Sequence, residues 1–335
     1  MNKWIDESMT LTNFSIILLW AIVMLIIVLG FVTYAIYFER KVIGYMQFRI
    51  GPNRVGPFGL LQSVADVLKL LIKEDTIPKH ADRQLFVLAP IITYVPAFTI
   101  IAIIPFTDQL FNADLNIGLL FYVALSSIST IGIILAGWAS NNKYALIGSM
   151  RSAAQMISYE IPLVISVIGI IMLSGSLNLK IIVESQSGGF WNWYFLPQIL
   201  AFVVFIIAGI SELNRTPFDL PEAESELVAG YHVEYSGFRF AFFMLSEYVY
   251  VFVLASLTTI LFLGGWHSPF PLLDFIPGIL WFILKFSLVV FVLFWVRATL
   301  PRVRVDQLMS LGWKVLLPLA LINIFITALY SYMIS

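Results

Sequence analysis

The sequence predicts an all-α polytopic membrane protein with about eight transmembrane helices. Three observations carry that prediction. Sixty per cent of the 335 residues are hydrophobic and only 12 per cent are charged, whereas a soluble domain spends about a quarter of its residues on charge. The mean hydropathy is +0.93. The apolar residues fall in runs long enough to cross a hydrocarbon core of about 30 Å, which takes about 20 helical residues. Finally, all but three of the 19 Lys and Arg residues sit in segments that alternate runs place on one side of the membrane.

Taken in order, the runs predict spans at 14–38, 85–106, 117–139, 155–174, 197–212, 239–263, 277–296 and 313–333. Each should be helical, because lipid leaves no partner for a backbone N–H outside its own segment. The fifth is short, so its polar end is expected to rest in protein. Pro90, Pro96 and Pro105 should kink the second. Only Lys3 and Lys180 belong to the opposite side, and Lys285 lies within the seventh span. By the positive-inside rule both termini face outward, the periplasmic side in a bacterium. The whole of 1–335 reads as one membrane domain, with no internal repeat and a first run too long for a cleaved leader.

Composition also excludes classes of function. With net charge −1 there is no basic surface for nucleic acid. The absence of cysteine removes disulfides, thiol chemistry and iron–sulfur ligation from this chain. His80, His232 and His267 have no metal-site spacing, and there is no Gly-rich nucleotide fingerprint.

Lipid embedding leaves three features unexplained. First, the loop after span 1 opens with Glu39-Arg40-Lys41 and passes through two Gly-Pro pairs between Gly51 and Pro57, which impose a non-helical path. From 58 to 73, Gln62, Asp66, Lys69 and Lys73 recur at helical spacing among Leu, Ile and Val. That is an amphipathic interfacial helix, suited either to anchoring at the surface or to roofing a lateral opening. Second, Glu212, Asp219, Glu222, Glu224, Glu226 and Glu234 crowd a stretch whose only cation is Arg215. A solvated loop or a divalent-cation site would account for it; so would carboxyls that raise one another's proton affinity. Third, Glu160, Glu212 and Glu247 lie at similar depth in spans 4, 5 and 6, with Lys285 expected near the middle of span 7. A charge at the bilayer centre costs about 2.5–3.5 kcal/mol by insertion scales. Such groups clamp helices together or mark a proton path.

The runs RIGPNRVGPFGLLQSVADVLKLLIKED (49–75), ELNRTPFDLPEAESELVAGYHVEY (212–235), SEYVY (246–250) and LPRVRVDQLMSLGWKVLLPLAL (300–321) resemble the membrane component of respiratory complex I (NADH-quinone oxidoreductase) that docks the peripheral arm, the family known as the H subunit or subunit 1. The resemblance spans nearly the whole chain. One departure is Val305, where the family pattern leads one to expect an aromatic residue. The resemblance implies a narrow quinone chamber beneath two hydrophilic partners, the iron–sulfur and quinone-site subunits, with quinone arriving sideways from lipid. It implies that Arg40, Arg49 and Arg297 line or brace the chamber, that Asp66 and Lys69 sit near its mouth, and that Asp219, Glu222, Glu224 and Glu226 belong to a loop under the headgroup. Glu212, Glu160 and Glu247, with Lys285 further along, would lead protons toward small neighbouring membrane subunits and the antiporter-like pumping subunits. Quinone, ubiquinone or menaquinone, is then a substrate, and FMN, clusters and metals belong to partners. The location implied is the bacterial plasma membrane or, alternatively, the mitochondrial inner membrane. A subunit of an energy-converting hydrogenase and a stand-alone transporter are the competing readings. The arginine-rich first loop speaks against the former, and the lack of inverted repeats against the latter.

Overall fold

The computed structural model describes residues 11–111, 113–220 and 227–334. Its elements are α1 (Leu11–Met46), α2 (Gln62–Ile72), α3 (Arg83–Ile101), α4 (Gly118–Ala139), α5 (Lys143–Ser174), α6 (Leu179–Glu184), α7 (Ile199–Glu212), α8 (Gly237–Phe262), α9 (Gly278–Thr299), α10 (Val305–Leu311) and α11 (Leu317–Ile334). A π-helical turn, Gly312–Leu316, joins α10 to α11, so Val305–Met333 runs as one apolar span. Seven spans among the described residues are long and apolar enough to cross a membrane, and α7 is a shorter apolar helix. Its 14 residues reach about 21 Å, less than the hydrocarbon core.

Several boundaries differ from the sequence expectation, each for a physical reason. α1 continues to Met46, because Glu39 is not at a membrane surface but buried in protein at 3 % exposure. α5 begins at Lys143, where the Asn142 side chain accepts from the Tyr144 N–H. Hydropathy missed its first three turns, 143–154, because Lys143, Ser149, Arg151 and Ser152 are polar or charged, yet Ser149 and Ser152 are buried in protein. α3 stops at Ile101, tightened by i→i−3 bonds from Ala102, Ile103 and Ile104. Pro105 therefore follows the helix; only Pro90 and Pro96 lie inside it. The amphipathic helix starts at Gln62, after a 3₁₀ turn at Pro57–Gly59.

The main core runs from Met24 on α1 through α3, α5, α7, α8 and α9 to Ala320 on α11, and a second, smaller cluster gathers Phe86, Ile133, Met156, Tyr235 and Phe243. Hydroxyl groups buried in it mostly donate to carbonyls of their own helix, as Thr93 does to Ala89, and Thr258 and Thr259 do to Leu254 and Ala255. That habit satisfies a polar group in a water-free medium. The two ends of the bundle differ. At the cationic end, α1 and α8 support α2, and Arg239 pairs with Asp75 at 3.1 Å. At the opposite end, Lys180 pairs with Asp108 at 2.7 Å. There Gln186 closes the end of α8, donating to Ile182 and Ile260 carbonyls and accepting from the Tyr194 and Gly264 N–H groups.

Candidate functional site

Between α1, α8 and α9 lies a cavity of about 750 Å³. Met24, Ile27 and Phe31 face it from α1, Phe252 from α8, and Phe286 and Phe294 from α9. Phe31 meets Phe252 and Phe286 edge-on, at ring-centroid distances of 5.1 and 5.3 Å. The aromatic spacing on α9 follows a helix period, so its rings stand one above another along the wall. A concave space with this lining takes an apolar body and gives a charged one nothing to bind.

The end of this cavity is different in kind. Phe294 lines both it and a small adjoining pocket of about 20 Å³ walled by Glu39, Arg215 and Arg297. Arg297 Nη1 contacts Glu39 Oε1 directly. On the other Glu39 oxygen, Tyr248 Oη donates at 2.7 Å. Arg215 lies 3.7 Å from Glu39 and 3.2 Å from Glu247, with its guanidinium 4.2 Å from the Tyr248 ring centre. Tyr231 Oη completes the set, donating to Glu247 at 3.2 Å. Positive and negative groups therefore alternate from Arg297 through Glu39 and Arg215 to Glu247. Burial works against the Arg215 charge, but Tyr248, Glu247 and Glu39 more than offset it and hold the guanidinium above its ordinary value. Removing one member of such a buried chain leaves its neighbour uncompensated.

A second acidic pair lies among α4, α5 and α7. Tyr122 Oη on α4 donates to Glu212 Oε2 at 3.2 Å, and Ser127 Oγ, one turn on, contacts Glu160 Oε1 on α5. The loop between α7 and α8 is anchored above them: Gln155 donates to the carbonyls of Ser211 and Phe218 at 2.8 and 2.7 Å, and Arg302 pairs with the mostly buried Asp219 at 3.0 Å.

The family profile described as NADH dehydrogenase matches residues 19–328. The chain is 69 % identical over 308 residues to the H subunit of NADH-quinone oxidoreductase from Brevibacillus brevis, covering 92 % of this chain and 91 % of that one. It is 64 % identical over 330 residues to the protein of the same name from Anoxybacillus flavithermus, with 98 % of each chain covered, and 63 % identical over the same length to that of Bacillus cytotoxicus. The chain belongs to the NADH dehydrogenase family.

Within this family member the expected residues separate into groups. Arg40 is exposed and pairs with Asp66 at 2.7 Å, which joins α1 to α2. Arg49 and Lys69 are exposed at the same end. Glu222, Glu224 and Glu226 lie outside the described residues. Lys285 does not join the glutamates. It is the eighth residue of α9 rather than a mid-span one, and its ammonium donates to the carbonyls of Leu263, Gly265 and His267 at 2.6, 2.9 and 2.7 Å, 4.0 Å from the Trp193 ring centre. This is the far end of α8 from Glu247, where the ammonium gathers the carbonyls of the turn that follows the helix. Val305 opens α10 and lines an apolar groove with Leu308 and Met309, while Asp306 pairs with Arg304 at 3.2 Å.

Sequence reasoning left out Glu39 and Arg215 as site residues, together with Tyr248, Tyr231, Tyr122 and Ser127. Signals for the first two were present: an acid at the very end of a long apolar run, and the one cation amid six acids. The hydroxyls gave none, since Tyr and Ser are unremarkable in membrane helices until their neighbours are known.

Proposed function

We propose that this chain is the quinone-chamber membrane component of a proton-pumping NADH-quinone oxidoreductase in the bacterial plasma membrane. One observation carries the reading: an apolar, aromatic-walled cavity runs between helices and ends on a buried alternation of arginine and glutamate. A hydrophobic-tailed quinone matches both parts, its tail along α1 and α9 and its polar ring toward Arg297 and Glu39. The iron–sulfur and quinone-site partners that deliver electrons cover the cationic end, and the activity named for the relatives agrees with that role. Lipid gives access at the α1–α9 side, near the interfacial helix α2.

The mechanism follows from electrostatics. Reduction of the ring creates a demand for two protons, or negative charge, beside Arg297 and Glu39. In a low-dielectric interior that change is felt strongly along Glu39, Arg215 and Glu247, and beyond them at Glu212 and Glu160. Arg40, Asp66, Lys69, Arg49 and Asp219 shape the mouth and roof of the chamber, with Glu222, Glu224 and Glu226 in the acidic loop. Lys285 holds the far end of α8 and stays outside the relay. Arg297→Ala tests the reading in the purified complex. NADH-driven quinone reduction should fall about tenfold or more, the loss expected when a buried charge loses its partner, while reduction of an artificial acceptor upstream of the chamber persists. An equal fall in both would mean that Arg297 serves assembly instead.

A further inference from the structure

Resting on the quinone reading, we propose that Gly30 on α1 and Ser287 on α9 frame a window in the cavity wall at mid-depth in the membrane, and that their small size decides which quinone tails the site admits. The level of the window follows from the helices. α1 and α9 are neighbours that both run toward the cationic end. Gly30 lies nine residues before Glu39, and Ser287 ten before Arg297. At 1.5 Å per residue both stand about 14–15 Å from that ion pair, near the middle of a hydrocarbon core about 30 Å thick. The ring contact between Phe31 and Phe286, their neighbours in sequence, puts the two residues at one level independently.

Gly30 and Ser287 line the cavity and are themselves exposed, whereas Phe31 and Phe286 beside them pack against each other and against Phe252. On either side of this level the exposed lips of the cavity carry Ile27 and Tyr34 on α1, and Ile283 and Phe291 on α9. Large side chains therefore close the seam above and below, and two small ones leave it open between. Gly30 has no packing reason to be glycine. It lies inside a helix, where glycine is less stable than alanine, yet a Cβ there would meet nothing within 4 Å. Gly132 and Gly209 are the opposite case: a Cβ would come within 2.3 Å of Thr93 and 2.4 Å of Leu254, so those glycines let helices touch. What Gly30 preserves is room. Inside a bilayer no hydrophobic force draws a tail into protein, because acyl chains are as apolar as leucine. Such a cavity selects by admitting or refusing, and its narrowest opening sets the choice. A quinone held by its ring at Arg297 and Glu39 can then pass the rest of its isoprenoid tail sideways into lipid between Gly30 and Ser287.

The test uses the whole complex reconstituted in vesicles, with NADH as donor and two quinones that share one ring, one carrying a long isoprenoid tail and the other a single isoprene unit. A side chain at Gly30 projects into open space, so Gly30→Leu leaves assembly intact. In Gly30→Leu and in Ser287→Leu the ratio of kcat/KM for the long-tailed over the short-tailed quinone should fall about tenfold, the discrimination that a few carbons of pocket space produce. A wild-type ratio in both variants would overturn the window. Equal loss with both quinones would overturn it too, and recovery on adding phospholipid would then name a lipid chain as the occupant. Failure of the quinone reading itself looks different: Arg297→Ala would reduce both quinones at the wild-type rate, and the window would fall with it.

Discussion

Glu39 shows how much a single buried side chain can organise. A carboxylate that is 3 % exposed is tolerated only when its oxygens are paired and bonded, and here Arg297, Arg215 and Tyr248 divide that task. His232 illustrates the opposite solution. It is buried against Tyr231 and Phe240 in the turn before α8, and burial lowers its pKa to about 4, with nearby Asp219 pulling weakly upward. It is therefore neutral in the folded protein at pH 5 to 7, whereas unfolding returns it to about 6.5. The unfolded state then binds more protons below that value, so this part of the fold is fully stable above pH 6.5 and loses stability as pH falls toward 4. Between pH 7 and 5 the loss amounts to about 2 kcal/mol. His232→Asn, which keeps a polar side chain without the titration, should flatten that acid sensitivity. Limited proteolysis of the 227–236 segment at pH 7 and pH 5 checks it: the wild type becomes more readily cut at pH 5 and the variant much less so.

At the scale of elements, α2 depends on one glycine. Gly59 adopts φ +83°, and a Cβ there would lie 2.3 Å from the Pro52 carbonyl oxygen, a backbone atom that cannot swing aside. The close approach folds the 51–59 segment onto itself, and Tyr37 Oη fastens it to α1 through the Phe58 carbonyl at 2.9 Å. Gly59→Ala should therefore displace α2 from α1 and weaken the Arg40–Asp66 pair, which by itself is an exposed bridge worth little. Complex assembled in membranes should drop severalfold, or assembled complex should show a raised quinone KM with upstream electron transfer retained. Wild-type assembly together with wild-type KM would show that the turn tolerates the extra carbon. The pattern of apolar and polar residues made α2 legible in the sequence; its glycine pivot was not, because the atom that Gly59 must avoid is seven residues away and met only in the folded turn.

Across the whole molecule, orientation is the testable quantity. The chain has no cysteine, so a single introduced thiol on it reports unambiguously. Leu272, 87 % exposed in the loop before α9, lies at the Lys180 end, and Lys79, before α3, at the cationic end. The positive-inside arrangement predicts that a membrane-impermeant maleimide labels Leu272→Cys in intact cells and leaves Lys79→Cys unlabelled; the reverse pattern would invert the topology. The seven long spans were readable from hydropathy because crossing lipid demands long apolar helices whatever the neighbours, and the eighth expected span is the short helix α7. Their ends were less so. Glu39 and the start of α5 are polar residues that the tertiary structure buries, and a window of hydropathy cannot tell protein surroundings from water.

From the residues alone came the all-helical membrane class, the side on which charge gathers, the interfacial helix, and the resemblance that places the chain in its family. These are properties of composition and local period, and each needs only the solvent and the next few residues. The tertiary structure decided which charges meet. It joined Glu39 to Arg297 across 258 positions, set Arg215 between two acids from different helices, and took Lys285 away from the glutamates to the far end of α8. Electrostatic partnership depends on distance in space and on the dielectric between groups, and neither is written in the order of the chain.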